Sequence, residues 1–179
     1  MKLIQLDKKH AFSELYSRYR VPLYTYFHGL IGSTLAEELM QDTFIKVLNK
    51  RMSFRFESKV KTWIWAIAKN TLRDHWRSVD HKMKNSFDSL VTTEGNEIFE
   101  APLDSAETLI LKKVTQRQLE DCINELPVDQ KEIVFCHVQS ELTNQEIADL
   151  SNISVGAVKS ILFRSKEKLI DCFKRGGHL

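Results

Sequence analysis

Apolar side chains recur at helical spacing along the first half of the chain. Leu15, Tyr19, Leu23 and Phe27 stand four apart and make one stripe. The pattern predicts helix through residues 10–78, broken at Gly29 and Gly32. The four tyrosines, Tyr16 to Tyr26, read as aromatic core with edge hydroxyls. Thr34-Leu35-Ala36-Glu37 reads as a capping box, in which hydroxyl and carboxylate satisfy free backbone N–H groups. In the helix it starts, Leu35, Leu39, Thr43 and Val47 line one face. Glu38, Gln41, Asp42 and Ile45 line another, polar and acidic.

An irregular stretch from Arg51 to Lys61 precedes a third helix, Thr62 to about Arg77. Its Ile64, Ile67, Ala68, Thr71, Leu72 and His75 keep the spacing of a core face. Trp65, Lys69, Arg73, Trp76 and Arg77 fall outside it. Two tryptophans among three basic side chains make a costly solvent surface. They suit bases to stack on and phosphates to pair with.

Residues 81–107 lose all periodicity. Ser, Thr, Asn, Asp and Glu dominate there, and the stretch reads as a flexible linker. Helical pattern resumes near Ala106 and runs to Leu126. Pro127 opens another helix where its missing N–H costs nothing. Thr143-Asn144-Gln145-Glu146 is a second capping box. It heads a short helix, Asn144 to Leu150, with Ile147 and Leu150 facing inward and Ala148 small enough for a close crossing. The turn Ser151-Asn152-Ile153 places Asn at a position that wants left-handed backbone. Ser154 caps the next helix. Val158, Ile161, Leu162 and Leu169 form its buried face, and Lys159, Ser160, Phe163, Arg164 and Lys166 its outer one. This is the layout of a helix-turn-helix whose second helix enters a major groove. The same unit also occurs as a plain packing motif.

Composition narrows the class. With 42% hydrophobic residues among 179, the chain can build one mid-sized domain or two small ones. Six Gly and three Pro are too few for a turn-rich β fold. The longest apolar run, Trp63 to Ala68, is far short of the ~20 residues that span a bilayer. No signal-peptide stretch precedes the first charges, so a cytoplasmic location without membrane insertion is expected. The three cysteines, Cys122, Cys136 and Cys172, are odd in number and lack C-x-x-C spacing. A disulfide scaffold is not expected, and they read as small buried hydrophobes. Cys136-His137 lacks a second ligand pair, so no metal site is expected.

Charge sharpens the picture. The net charge of +2 hides segregation. Residues 44–77 hold nine basic against two acidic side chains, and 154–179 hold six against two. Between them, 116–153 hold eight acidic against two basic. Two basic segments separated by an acidic one suggest two surfaces for a polyanion. A basic run can also be a solvated helix face.

With these residues assembled, the chain resembles the extracytoplasmic-function (ECF, group IV) members of the sigma-70 family of bacterial transcription initiation factors. Phe12-x-x-Leu15-Tyr16-x-Arg18-Tyr19 resembles the opening of the family's region 2. Ala36-Glu37-Glu38-Leu39-x-Gln41-Asp42-Thr43-Phe44-Ile45-Lys46-Val47 is similar to its core-polymerase-binding helix. Phe54-Arg55, Ser58 and Thr62-Trp63 resemble the loop that captures an unstacked promoter base. Trp63-Ile64-x-x-Ile67-Ala68-x-Asn70-x-x-x-Asp74-x-x-Arg77 resembles the helix that melts and reads the −10 element. Leu126-Pro127-x-x-Gln130-Lys131, Glu146-Ile147-Ala148 and Ser154-Val155-Gly156-Ala157-Val158-Lys159-Ser160 resemble the −35-reading region 4. The family commonly has Thr where Ala157 stands and Arg where Ile161 stands.

The resemblance implies an all-α fold. A region 2 domain spans 1–80, a linker 81–107, and a region 4 helix-turn-helix domain 108–179. Glu37, Glu38, Gln41, Asp42 and Ile45 would bind core polymerase. Phe54, Arg55, Ser58, Lys59, Lys61, Trp65, Lys69, Asn70, Arg73, Asp74, Trp76 and Arg77 would engage the −10 element, with Trp65 and Trp76 as stacking platforms and Trp63 in the core. Ser154, Val155, Gly156, Lys159, Ser160, Phe163, Arg164 and Lys166 would read the −35 element. The implied partners are core RNA polymerase, through its β′ clamp helices and β flap, promoter DNA, and an anti-sigma factor. The free protein would be a monomer with no cofactor and no catalytic residue. An alternative is a helix-turn-helix regulator whose N-terminal helices bind a ligand or dimerise. An enzyme such as a metal-dependent nuclease would need clustered carboxylates or histidines. Glu37, Glu38 and Asp42 are the only such group, and His10, His28, His75, His81, His137 and His178 are scattered.

Overall fold

The structure, a computed structural model, describes residues 1–85 and 117–175. Among these residues every regular element is helical. In chain order they are α1 (Lys2–Gln5), α2 (Lys9–Ile31), α3 (Ser33–Asn49), a 3₁₀ turn (Arg51–Ser53) and α4 (Val60–Asn85). They continue with α5 (residues 117–124), α6 (Val128–Ser140), α7 (Asn144–Ser151) and α8 (Val155–Arg175). The chain divides into two compact units. One holds α1–α4 and takes in Val138–Leu142, and the other holds the rest of the second half.

The first unit is built on α2, α3 and α4. Leu23 and Phe27 of α2, Leu39, Phe44 and Val47 of α3, and Ile64, Ala68 and Leu72 of α4 are buried. Tyr26 is buried with them. Tyr16 is half-buried and lies 4.7 Å from Phe44, centroid to centroid. Thr43 is also buried and donates its hydroxyl to the Leu39 carbonyl at 2.7 Å, which satisfies it within its own helix. Lys46 links α3 to Asp74 of α4 at 3.3 Å.

Three local expectations are corrected. Gly29 does not break a helix, because α2 runs through it to Ile31. The whole turn falls on Gly32, with φ 82°, an angle that L side chains rarely adopt. Helix α3 therefore begins at Ser33, and Thr34 already lies in its first turn. No side chain caps that helix, so the capping box of Thr34 and Glu37 does not form. Helix α4 starts at Val60 and continues to Asn85, so residues 81–85, assigned above to the linker, are helical. The rest of the linker, and the helical pattern expected from Ala106 to residue 116, lie outside the described residues.

In the second unit, Pro127 precedes α6 and its carbonyl accepts from the N–H groups of Gln130 and Lys131, both at 2.9 Å. Cys122, Leu126, Ile133, Cys136, Ile147, Ala148 and Val158 make the core. Cys122 of α5 and Cys172 near the end of α8 form a disulfide, with Cα atoms 5.7 Å apart. This overturns the expectation of three unbridged thiols. Cys136 is buried, as expected, and takes no part in the bridge.

Candidate nucleic-acid interface

The caps and turn of the helix-turn-helix are built by bonds that reach no more than five residues. Thr143 and Glu146 form both halves of the capping box. The Glu146 N–H donates to the Thr143 hydroxyl at 3.2 Å, and the Thr143 N–H donates to the Glu146 carboxylate at 2.8 Å. Helix α7 closes on Asn152, which is left-handed (φ 55°, ψ 44°). The Asn152 N–H donates to the Asp149 carbonyl and the Ile153 N–H to the Ala148 carbonyl, the Schellman arrangement. Two residues on, the Ser154 hydroxyl accepts from the Ala157 N–H at 3.1 Å and starts α8. Ala148 is buried where α7 and α8 pack.

Helix α8 buries Val158 and Ser165 and leaves Lys159, Ser160, Phe163, Arg164 and Lys166 exposed. Phe163 is 65% exposed, too much for a residue that serves the core. Arg164 donates through Nε to the Ser160 carbonyl at 3.2 Å, which leaves its terminal nitrogens free of that bond. Ser154 and Gly156 are exposed and Val155 is half-buried at the start of the helix. Ile161, Leu162 and Leu169, expected in the core, are only half-buried. Leu162 and Leu169 line an open apolar groove with Val134, Ile170 and Phe173.

The basic segment of the first unit comprises the loop after the 3₁₀ turn and the outer face of α4. Arg55, Ser58 and Lys59 are exposed, and Lys61 is half-buried. Along α4, Asn70, Arg73, Asp74 and Arg77 are exposed, while Lys69 and Trp76 are half-buried. Two residues expected here belong to the core instead. Trp65 is 2% exposed, its ring set edge-on to Tyr26 at 5.1 Å. Helical periodicity assigned it to the outside because it lies off the stripe of Ile64 and Ala68. Tyr26 of α2 reaches across to cover it there. Phe54 is 4% exposed and lies 5.2 Å from Trp63, ring to ring. Trp63, expected in the core, is half-buried.

The aromatic that the loop does present is Phe56, which sequence reasoning passed over. It is 48% exposed, with its ring edge-on to Phe54 at 4.9 Å. Its φ is 62°, a conformation that is an outlier for a bulky side chain. Sequence offered no signal for it, because residues two apart in an extended chain share a face and Phe56 would be expected to turn inward with Phe54.

On α3 the division of faces is clean. Ala36, Leu39, Met40, Thr43, Phe44 and Val47 are buried. Glu37, Glu38, Gln41, Asp42 and Ile45 are all exposed, Ile45 by 54%. Ile45 thus stands open among three carboxylates.

Two family models match the chain, Sigma-70 region 2 over residues 15–81 and Sigma-70, region 4 over residues 116–169. The chain is 27% identical to the ECF RNA polymerase sigma-E factor of Haemophilus influenzae, covering 93% of this chain and 89% of that one. It is 29% identical to the ECF RNA polymerase sigma factor SigM of Bacillus subtilis, covering 91% and 95%. Among solved structures it is similar to the sigma factor RpoE from Bartonella quintana, crystallised with the anti-sigma factor NepR. That match has a TM-score of 0.74 and 22% identity over 92% of this chain and 97% of that one. It is also similar to CnrH in complex with the cytosolic domain of CnrY, with a TM-score of 0.65 and 20% identity over 97% and 94%. The region 2 match on residues 15–81 displaces the alternative of a ligand-binding or dimerising N-terminal domain. No helix among the described residues is long and apolar enough to cross a membrane. With both matched regions in order over residues 15–81 and 116–169 and ECF sigma factors among its relatives, the chain belongs to the sigma-70 family, in its ECF group, and is a non-enzymatic subunit that directs RNA polymerase to promoters.

Proposed function

We propose that the protein docks on core RNA polymerase through Glu37, Glu38, Gln41, Asp42 and Ile45, with the β′ clamp helices as the receiving surface. The loop after Ser53 and the outer face of α4 then hold the −10 element. Arg55, Ser58, Lys59, Lys61, Lys69, Arg73 and Arg77 supply charge and polarity, Asn70 and Asp74 border them, and Trp76 and Phe56 supply aromatic surface. Asp74 is paired with Lys46, so its first role is to tie α4 to α3. The start of α8 reads the −35 element through Ser154, Val155, Gly156, Lys159, Ser160, Phe163, Arg164 and Lys166. The half-open apolar groove beside α8 suits the β flap. In this reading the first domain ends with α4, whose last residue is Asn85, and the second begins near residue 108.

The observation that carries the reading is the first turns of α8. A helix capped by Ser154, entered from a left-handed Asn152, exposes Lys159, Ser160, Phe163 and Arg164 on one side and buries Val158 on the other. The protein acts in the cytoplasm, where the polymerase is. Both solved relatives named above are held by a partner protein, and an anti-sigma factor is inferred for this chain as well.

The test is run-off transcription on genomic fragments with purified core polymerase, with and without the protein. Asp42→Arg should weaken core binding, measured by competition, because it reverses a charge pair at the interface. The fold should hold, since an exposed substitution of this kind moves stability by less than about 0.5 kcal/mol. Unchanged core affinity would remove α3 from the interface.

Arg164 and Lys166 should separate by readout. Arg164→Ala is expected to cost about 1–3 kcal/mol and to relax the preference at one upstream position. Lys166→Ala should weaken all sequences alike and make the salt dependence shallower by close to one phosphate contact. A uniform loss from Arg164→Ala would reassign it to the phosphate backbone.

A further inference from the structure

Residues 2–7 lie before the region 2 match, which begins at residue 15. Helix α1 is four residues long, too short to hold itself together, so tertiary contacts must order it. One anchor is Ile4, buried and only 4% exposed. The segment also packs against α2, but its side-chain polar contacts go to one place. The Gln5 side-chain amide donates to the Arg51 carbonyl at 2.8 Å and to the Phe54 carbonyl at 3.1 Å, which uses both of its hydrogens. Those carbonyls bracket the 3₁₀ turn and the first residue of the loop. The Arg51 guanidinium donates to the Leu48 carbonyl at the end of α3 (2.9 Å) and to the Asp7 carboxylate (2.8 Å). Lys2 sets its ammonium 5.8 Å from the centroid of the Phe56 ring.

The loop needs such support. Phe56 holds a left-handed backbone that its side chain disfavours, and strain of this kind persists only where the surroundings over-determine it. Its flanks are fixed by Phe54 against Trp63 on one side and by the start of α4 on the other. Gln5 and Asp7 act on the entry to the loop, Gln5 through the Arg51 and Phe54 carbonyls and Asp7 through the Arg51 guanidinium.

We propose that residues 2–7 form a clasp that sets the loop's conformation, and that Gln5 and Asp7 are positioning residues for −10 discrimination. The proposal rests on the reading of this loop as a promoter-binding element. The clasp touches no DNA. It holds the Arg51 and Phe54 carbonyls in place, so that Arg55 and Phe56 are presented in one arrangement rather than several. Discrimination between bases then depends on residues that lie more than forty positions away in sequence.

The experiment uses the whole protein with core polymerase and a panel of single-base variants of a promoter found by run-off transcription. Gln5→Glu keeps shape and size but has no hydrogen to donate, and its carboxylate faces two carbonyl oxygens. Discrimination at one −10 position should fall roughly tenfold, the equivalent of two hydrogen bonds of ordinary net strength. Core affinity and upstream duplex binding should stay native, and the melting temperature should fall by only a few degrees, leaving the protein fully folded at the assay temperature. Asp7→Ala should act in the same direction. Asp7→Asn should restore most of the loss, because the amide oxygen still accepts from Arg51. Native discrimination in both Gln5→Glu and Asp7→Ala overturns the clasp, as does a loss spread evenly over all positions. Arg55→Ala and Phe56→Ala are the control for the loop itself. If they lose the preference while Gln5→Glu and Asp7→Ala keep it, the loop reading stands and the clasp fails. If they too keep it, the loop reading has failed and takes the clasp with it.

Discussion

Trp65→Ala should destabilise the first unit by about 3–5 kcal/mol, as truncating a fully buried aromatic does. The side chain is 2% exposed and packs edge-on against Tyr26, itself 1% exposed. Removing it leaves a large cavity against α2 that the close-packed surroundings cannot refill. Trp65→Phe should cost far less. The indole N–H is buried and meets no hydrogen-bond partner among the described residues, so the phenyl ring loses volume and none of their bonds. Urea denaturation followed by circular dichroism measures both. A native midpoint for Trp65→Ala, combined with failure to open promoters, would return this residue to the nucleic-acid surface. Trp76, half-buried on the same helix, should behave oppositely, with little change in stability and a loss of open complexes.

Reducing the Cys122–Cys172 bridge should lower the stability of the second unit by about 4 kcal/mol. The cross-link joins residues separated by 50 in sequence, and loop closure of that length costs the unfolded chain this much entropy. Neighbouring groups do little to replace it. Arg175 pairs with Glu125 at 2.7 Å beside the bridge, but both side chains are more than half exposed and such a pair contributes little. Calorimetry of the whole chain, with and without dithiothreitol, should show one transition moving down in the reduced protein. The double variant Cys122→Ser, Cys172→Ser should melt like the reduced protein and ignore the reductant. Equal melting of oxidised and reduced protein would mean that packing alone holds α5 to the end of α8.

Both effects fall where sequence reasoning went astray, for related reasons. Trp65 stands next to Ile64 on a helix whose apolar stripe is complete without it. Periodicity sees one helix at a time and cannot know that Tyr26 of α2 covers α4 there. The cysteine count spoke only to scaffolds with paired spacing. Whether Cys122 meets Cys172 depends on the end of α8 returning to α5, which no short pattern encodes. The capping box at Thr34 failed on a smaller scale. Gly32 took the whole turn on one residue, and α3 began before Thr34 could cap it.

Much of the candidate site was nevertheless readable from the residues. The acidic face of α3 follows from spacing alone, because Glu38, Gln41, Asp42 and Ile45 avoid the stripe of Leu39, Thr43 and Val47. The family matches agree with the order of motifs, from the paired carboxylates near residue 37 to the capped helix at Ser154. Phe56 escaped because its exposure depends on a left-handed backbone and on Phe54 turning inward.

The sequence by itself determined the helix-turn-helix, down to the hydroxyl of Thr143, the carboxylate of Glu146, the left-handed Asn152 and the cap at Ser154. The cap and turn bonds from Thr143 to Ala157 each close within five residues, so neighbours in the chain suffice to choose that conformation. Only the tertiary structure decided the burial of Trp65, the pairing of Cys122 with Cys172 and the grip of Gln5 on the carbonyls of Arg51 and Phe54. Those contacts join residues 39 to 50 apart, and their partners are chosen by how helices pack rather than by what lies nearby in the chain.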